Sequence, residues 1–241
     1  MVMFIRKISA AAASTNTHSV DLEVDSSQYL SITDGAQTGL GITGDLTIEA
    51  WIKAETFPAN NGTIVSKFDS AARSYRFAVE DFGSGVRKMR FSISDNGSGS
   101  GQTTVNSTAD IGGDTGAWHH AAVVYDASAG TAQFYWDAVG DGNPSGLKTA
   151  IYDGAADFRI GARTTSGSPS QIFDGLIDDV RIWSDIRTSS EISTNKDAEL
   201  TGAEANLVGY WKLNNDLLDS TSNGNDLTNN NSAVFSTDIP F

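Results

Sequence analysis

The feature that most limits how this chain can fold is a run of short, alternating segments separated by turn-forming clusters. In DLTIEAWIK, Leu46, Ile48, Ala50 and Ile52 fall on one side, and Thr47, Glu49, Trp51 and Lys53 on the other. That period of two is the signature of a β-strand with one face turned inward. Similar runs follow at regular spacing: SVDLEVDSSQYLSI, GTIVSKF, SYRFAVE, KMRFSIS, AWHHAAVVYD, TAQFYWDAV, FRIGAR, FDGLIDDVRIW and LVGYWKL. The segments between them are rich in Asp, Asn and Gly. With 23 Asp against 7 Glu, plus 24 Gly and 15 Asn, the composition favours tight turns over helices. The pattern predicts an all-β, two-sheet antiparallel sandwich of roughly a dozen strands.

One helical interruption is expected. Thr188-Ser189-Ser190-Glu191 fits a capping box, which predicts a short surface helix near residues 189–196. Strict alternation through FDGLIDDVRIW sets Leu176, Asp178, Val180 and Ile182 on one face. Ile177, Asp179, Arg181 and Trp183 take the other. An aspartate among aliphatic residues needs a cation, a metal or several N–H donors.

Charge and composition exclude several classes. A net charge of −14 with only 16 Lys and Arg leaves no basic footprint for nucleic acid. The absence of cysteine removes disulfides, thiolate catalysis and cysteine-type zinc sites. No apolar run reaches the length of a membrane span. Residues 19–241 read as one sandwich domain. Residues 1–18, MVMFIRKISAAAASTNTH, read as a polar arm. As an export leader the arm is a weak match, because Arg6 and Lys7 follow its apolar start. An arm this small cannot order itself. It is expected to lie against its own sandwich, a second copy or a partner protein, with docking in a larger assembly foremost, Phe4, Ile5 and Ile8 as anchors and Arg6 and Lys7 pairing to acidic surface.

The ordered segments VDSSQYLSI, GDLTIEAWIK, GTIVSKFD, AWHHAAVVYD, FYWDAV, FRIGAR, FDGLIDDVRIW and LVGYWKLNNDLLDSTSNGNDL resemble the LamG-like jelly roll of the concanavalin A-like lectin/glucanase superfamily. The resemblance spans residues 20–227. It departs at Asp137-Ala138, where the family has an aspartate-glycine turn. It implies a jelly roll with one curved sheet. It also implies a calcium site at the sandwich rim, where the first and last strands are neighbours. The hard oxygen ligands expected for it are Asp25, Asp174, Asp178, Asp219, Asn223 and Asn225. The alternative for these residues is Asx turns, and for Asp178 backbone donors or an arginine.

Some glucanases of this architecture use a Glu-x-Asp-x-x-Glu strand motif. The nearest match, Glu23-Val24-Asp25-Ser26-Ser27-Gln28, ends in an amide that cannot serve as acid or base. His120 shares a face with Trp118, Ala122 and Val124 and reads as a buried histidine, while His119 takes the other face and His18 lies in the arm. Catalysis is therefore not expected. Sugar binding needs exposed aromatics beside polar groups. Trp51 and Trp183 are the candidates, because both fall on polar strand faces, with packing beneath loops as the alternative for both, whereas Trp118, Trp136 and Trp211 read as core. The reading is a non-enzymatic binding, adhesion or surface-display protein, foremost a virion-surface component such as a decoration or fibre-associated protein. The alternatives are a secreted calcium-dependent lectin and, further off, a glycoside hydrolase.

Overall fold

The structure is a computed structural model that describes residues 16–56 and 62–241. The strands are β1 (Ser19–Leu22), β2 (Tyr29–Ile32), β3 (Leu46–Ala54), β4 (Gly62–Asp69), β5 (Ala72–Asp81), β6 (Arg87–Gly97), β7 (Gln102–Asn106), β8 (His119–Asp126) and β9 (Thr131–Trp136). They continue with β10 (Val139–Gly140), β11 (Phe158–Ile160), β12 (Arg163–Thr165), β13 (Ser168–Ser170), β14 (Gly175–Trp183), β15 (Leu207–Trp211), β16 (Thr228–Asn230) and β17 (Val234–Ser236). Among the described residues one α-helix, α1 (Ser189–Asn195), lies between β14 and β15.

Two antiparallel sheets form the sandwich. The first runs β10-β9-β8-β3-β14-β1-β17, with β15 paired to the second half of β14. The second runs β16-β2-β11-β4-β5-β6-β7. Because the side-chain period is two, each strand sends alternate residues between the sheets. Leu46, Ile48, Ala50 and Ile52 of β3 meet Tyr75, Phe77 and Val79 of β5 and Met89, Phe91 and Ile93 of β6 in one core. Trp211 stacks on Phe158 across it, with centroids 5.0 Å apart. The short ribbon β12–β13 lies against β4.

The strict alternation expected for β14 does not hold. Its pairing with β3 shifts between Asp178 and Arg181, and Asp179 sits at φ 47°. This is a β-bulge: one extra residue resets the phase of everything after it. Ile177, Val180 and Ile182 therefore belong to the core between the sheets. Arg181 and Trp183 stand on the outer face.

That outer face is covered by α1 and the chain after it. Thr188 caps the helix as expected: its hydroxyl accepts from the Glu191 N–H, and the Glu191 carboxylate accepts from the Thr188 N–H. Ile192 of α1 packs on Ala122 and Val124 of β8. The carbonyls of Asn195 and Ala198 accept from the Arg181 guanidinium. The carbonyl of Lys196 accepts from the Trp51 indole at 2.6 Å.

Candidate functional site

The six residues expected to hold calcium do not converge as one ligand set; most are engaged in local hydrogen bonding. Asp25 is exposed in the β1–β2 turn. Asp174 accepts from the Val24 N–H at 3.1 Å and from the Thr56 hydroxyl. Asp178 is fully buried and accepts from the Asn16 side-chain amide at 2.7 Å and the Asp179 N–H at 2.9 Å. Neither donor brings a positive charge, so burial pushes its pKa up to about 8.

Asp219 organises the turn after β15, accepting from the N–H groups of Tyr210, Thr221 and Asn225 and from the Thr221 hydroxyl. The Asn223 amide donates to the Val208 carbonyl, and Asn225 bridges Val208 and both backbone groups of Thr38. These are Asx-type turn bonds that fasten the β15–β16 loop to the chain after β2.

Three other carboxylates gather most closely, with two of the expected ligands beside them: the charge of Asp174 acts on all three and that of Asp25 on one. Asp21, Glu23 and Glu55 each place an oxygen within 4.8 Å of the rest. The sheet order explains this. Asp21 of β1 pairs with Leu176 of β14, and the Glu55 N–H donates to the Asp174 carbonyl, so the ends of β1 and β3 flank the start of β14. Burial and the neighbouring carboxylates raise the pKa of all three. The Asp21 Oδ1 is buried without a protein partner. Sequence reading missed the cluster because it is made by pairing between segments more than 30 residues apart; an acidic residue at a strand end was the only local signal.

The tryptophans exchange expected roles in part. Trp51 is 7% exposed beneath Lys196, and Trp183 is 1% exposed, packed with Leu207, Tyr210 and Leu200 and under the Arg187 guanidinium. Their indole N–H groups are taken by the Lys196 carbonyl and by Glu49 Oε1 at 2.8 Å. Neither offers a ring face to a ligand. Trp211 is core as expected. Trp118 is half-buried, its indole donating to Asp238. Trp136 is half-buried too, with one side against the core.

Trp136 also lines a cavity of about 320 Å³ together with Asp110, Ile111, Asp137, Val139 and Asp141. His119 stacks on Trp136 at 4.6 Å and bonds Asp137 Oδ2 through Nδ1 at 2.8 Å. That hydrogen bond, against partial burial, raises the pKa of His119. Asp141 Oδ1 accepts from the Thr108 and Ala109 N–H groups, and its buried Oδ2 has no protein partner. Val139 is 69% exposed at the mouth. The result is an indole wall, an aliphatic lip and three carboxylates. The cavity sits at the same strand-end of the first sheet as the acidic cluster, though toward the opposite edge, since His119 pairs with Ile52 near the end of β3.

No catalytic pair appears at the expected motif. Gln28 is buried; its oxygen accepts from the Glu23 N–H, and its amide donates to the carbonyls of Asn231 and Ser232. His120 is buried beneath α1, and burial with the Arg181 and Lys196 charges pulls its pKa down to about 3. The proposed anchors Phe4, Ile5, Arg6, Lys7 and Ile8 lie outside the described residues. The last arm residues, 16–18, turn back on their own sandwich: Asn16 binds Asp178, and Thr17 and His18 donate to Asn214.

Comparison with solved structures finds the same architecture. A presumed carbohydrate-binding protein from Bacteroides ovatus superposes at TM-score 0.66 with 20% identity, over 91% of this chain and 59% of that one. A heptameric SAP-like pentraxin from Limulus polyphemus superposes at 0.63 with 14% identity, over 93% and 96%. The CBM40 module of a Ruminococcus gnavus sialidase, bound to α2,3-sialyllactose, gives 0.52 with 12% identity, over 64% and 84%. At these identities the likeness is one of fold, and the chain spans 59% of the length of the Bacteroides protein. A search of curated protein sequences gives no match. The Laminin_G_3 family model matches residues 24–193, and with its sandwich and strand order the chain belongs to the concanavalin A-like lectin/glucanases superfamily.

Proposed function

We propose that this protein is a non-catalytic, lectin-like module that holds a neutral or amino sugar in the Trp136 cleft. The observation that carries the reading is that cleft: a half-buried indole, stacked by His119, beside three carboxylates in about 320 Å³. A pyranose has an apolar C–H face, which packs on an indole, and a rim of hydroxyls, which donate to carboxylates. Asp141 Oδ2, buried and unpartnered, gains most from such a donor. With no Lys or Arg lining the cleft and a chain charge of −14, acidic sugars are disfavoured.

Asp21, Glu23 and Glu55 fit a calcium ion. They supply hard oxygen donors, one of them orphaned, and their pKa values are raised by burial and then by neighbouring carboxylates, a repulsion that a cation relieves. Bound there, the ion would tie the ends of β1 and β3 together. The same residues do not line the Trp136 cleft, and Gln28 serves only as a turn tie, so hydrolysis is not part of the proposal. The fold-back of residues 16–18 onto Asp178 and Asn214 favours this reading over docking through the arm on a virion. Glycans of this kind are met at an extracellular surface, where the proposal places the protein.

A glycan array tests it. Neutral or amino-sugar glycans should be retained without turnover, and Trp136→Ala should abolish retention while leaving the fold intact. Retention of sialylated or uronic glycans alone, or undiminished binding by the variant, would refute the site. The calcium arm is separate: melting with calcium should occur higher than with chelator, and Glu23→Gln with Glu55→Gln should remove the difference. Identical melts would end the calcium reading.

A further inference from the structure

A second cavity, also about 320 Å³, lies at the other end of the sandwich. Ala72, at the start of β5, lines it. The far end of β5 reaches Asp81, which pairs with Arg87, and the Arg87 carbonyl accepts from Ile111 of the Trp136 cleft. Ten strand residues, roughly 30 Å, thus separate the two. Three separate chain stretches build the second cavity: the β4–β5 turn with Asp69, the entry to β11 with Asp157 and Arg159, and the β12–β13 ribbon with Thr164 and Gly167.

Arg159 is the decisive residue. It is 7% exposed, yet it stands on the outer face of the second sheet between Ser66 and Ser31. Its guanidinium is fixed over the Tyr29 ring at 4.8 Å and by Asp157 Oδ2, which accepts from Nη2 at 3.3 Å. Its Nε and Nη1 have no partner. Buried donors left unpaired are costly, and a charged one more so. Asp69 is equally fixed, its oxygens taking the N–H groups of Ala71 and Gly167.

A pocket that holds one cation and two carboxylates repels a simple anion. It suits a group that both accepts and donates, and a hydroxyl accepts from a guanidinium while donating to a carboxylate. We propose that this cavity is a second saccharide site, which takes neighbouring hydroxyls of a neutral sugar between Arg159, Asp69 and Asp157 and makes the protein bivalent. The site itself stands independently of the Trp136 cleft, whereas the bivalence rests on the proposed function of that cleft. Two sites at opposite ends would let one molecule bridge two glycan chains.

The test is an amide NMR titration of the full chain with methyl α-mannopyranoside, methyl β-galactopyranoside and sodium acetate. At least one glycoside should produce saturable shifts at Asp157 and Gly167. These shifts should persist in Trp136→Ala and weaken by about tenfold or more in Arg159→Lys and in Thr164→Val. If Arg159→Lys fails to fold, Thr164→Val carries the comparison. Unchanged Asp157 and Gly167 signals with both glycosides, full affinity in the folded variants, or shifts with acetate in place of the glycosides would overturn the proposal. Loss of shifts only in Trp136→Ala would overturn it as well, by assigning all binding to the first cleft.

Discussion

Asp178 is held with no accessible surface and no cation on its carboxylate, so near neutral pH it carries a proton that the unfolded chain would release. Its folded pKa is about 8 against 3.8 for the free side chain. Between those values the native state binds more protons than the unfolded state, and stability falls as pH rises; above about 8 the penalty is constant. Asp178→Asn keeps an acceptor for the Asp179 N–H and removes the titration. Its unfolding free energy in denaturant melts should therefore gain on the parent's from pH 5 to pH 8, by up to roughly 1 kcal/mol per pH unit. A gap that is flat or shrinking with pH would contradict this. At this scale the sequence was partly informative. It showed that Asp178 needed partners, but not that they would be Asn16, 162 residues away, and its own neighbour. Trp51 and Trp183 were assigned correctly to the outward face of their strands. What alternation cannot report is whether that face is covered, and here the chain flanking α1 covers both indoles.

Elements carry the next level of error and of insight. The bulge at Asp179 is invisible to a period-two reading, yet it decides which side of β14 faces the core. By contrast, α1 was legible in full, because a capping box is local chemistry. The β9–β10 hairpin is an intermediate case. Asp137 and Ala138 both take positive φ, 50° and 62°, as a two-residue type I′ turn requires. Alanine is strained there, since its Cβ crowds the following carbonyl, whereas glycine is not. Ala138→Gly should raise stability by a few tenths to about 1 kcal/mol in denaturant melts. A loss of stability would mean that Ala138 makes compensating contacts with Tyr135 and the cluster beneath α1. The strained pair also delivers Asp137 to the Trp136 cleft, so the departure from the family turn lies at the proposed site.

At the scale of the molecule, the two-sheet sandwich followed from the spacing of strands and turns, because burying one face of each strand leaves few other solutions. The sites did not follow, because they are built at strand ends by pairings between distant segments. Asp21 meets Glu55 only through β14, and Trp136 meets Asp110 only through the packing of the β7–β8 connection against the β9–β10 hairpin. The central claim is that a sugar rests on Trp136. The most direct measurement follows the five indole N–H resonances during titration with a glycan retained on the array. Trp51, Trp183 and Trp211 are buried and hydrogen-bonded to protein, so their signals should stay in place. The Trp136 signal should move saturably, together with the amides of Asp137 and Asp141. A Trp136 signal that stays fixed at ligand saturation, with shifts confined to other residues, would contradict the account.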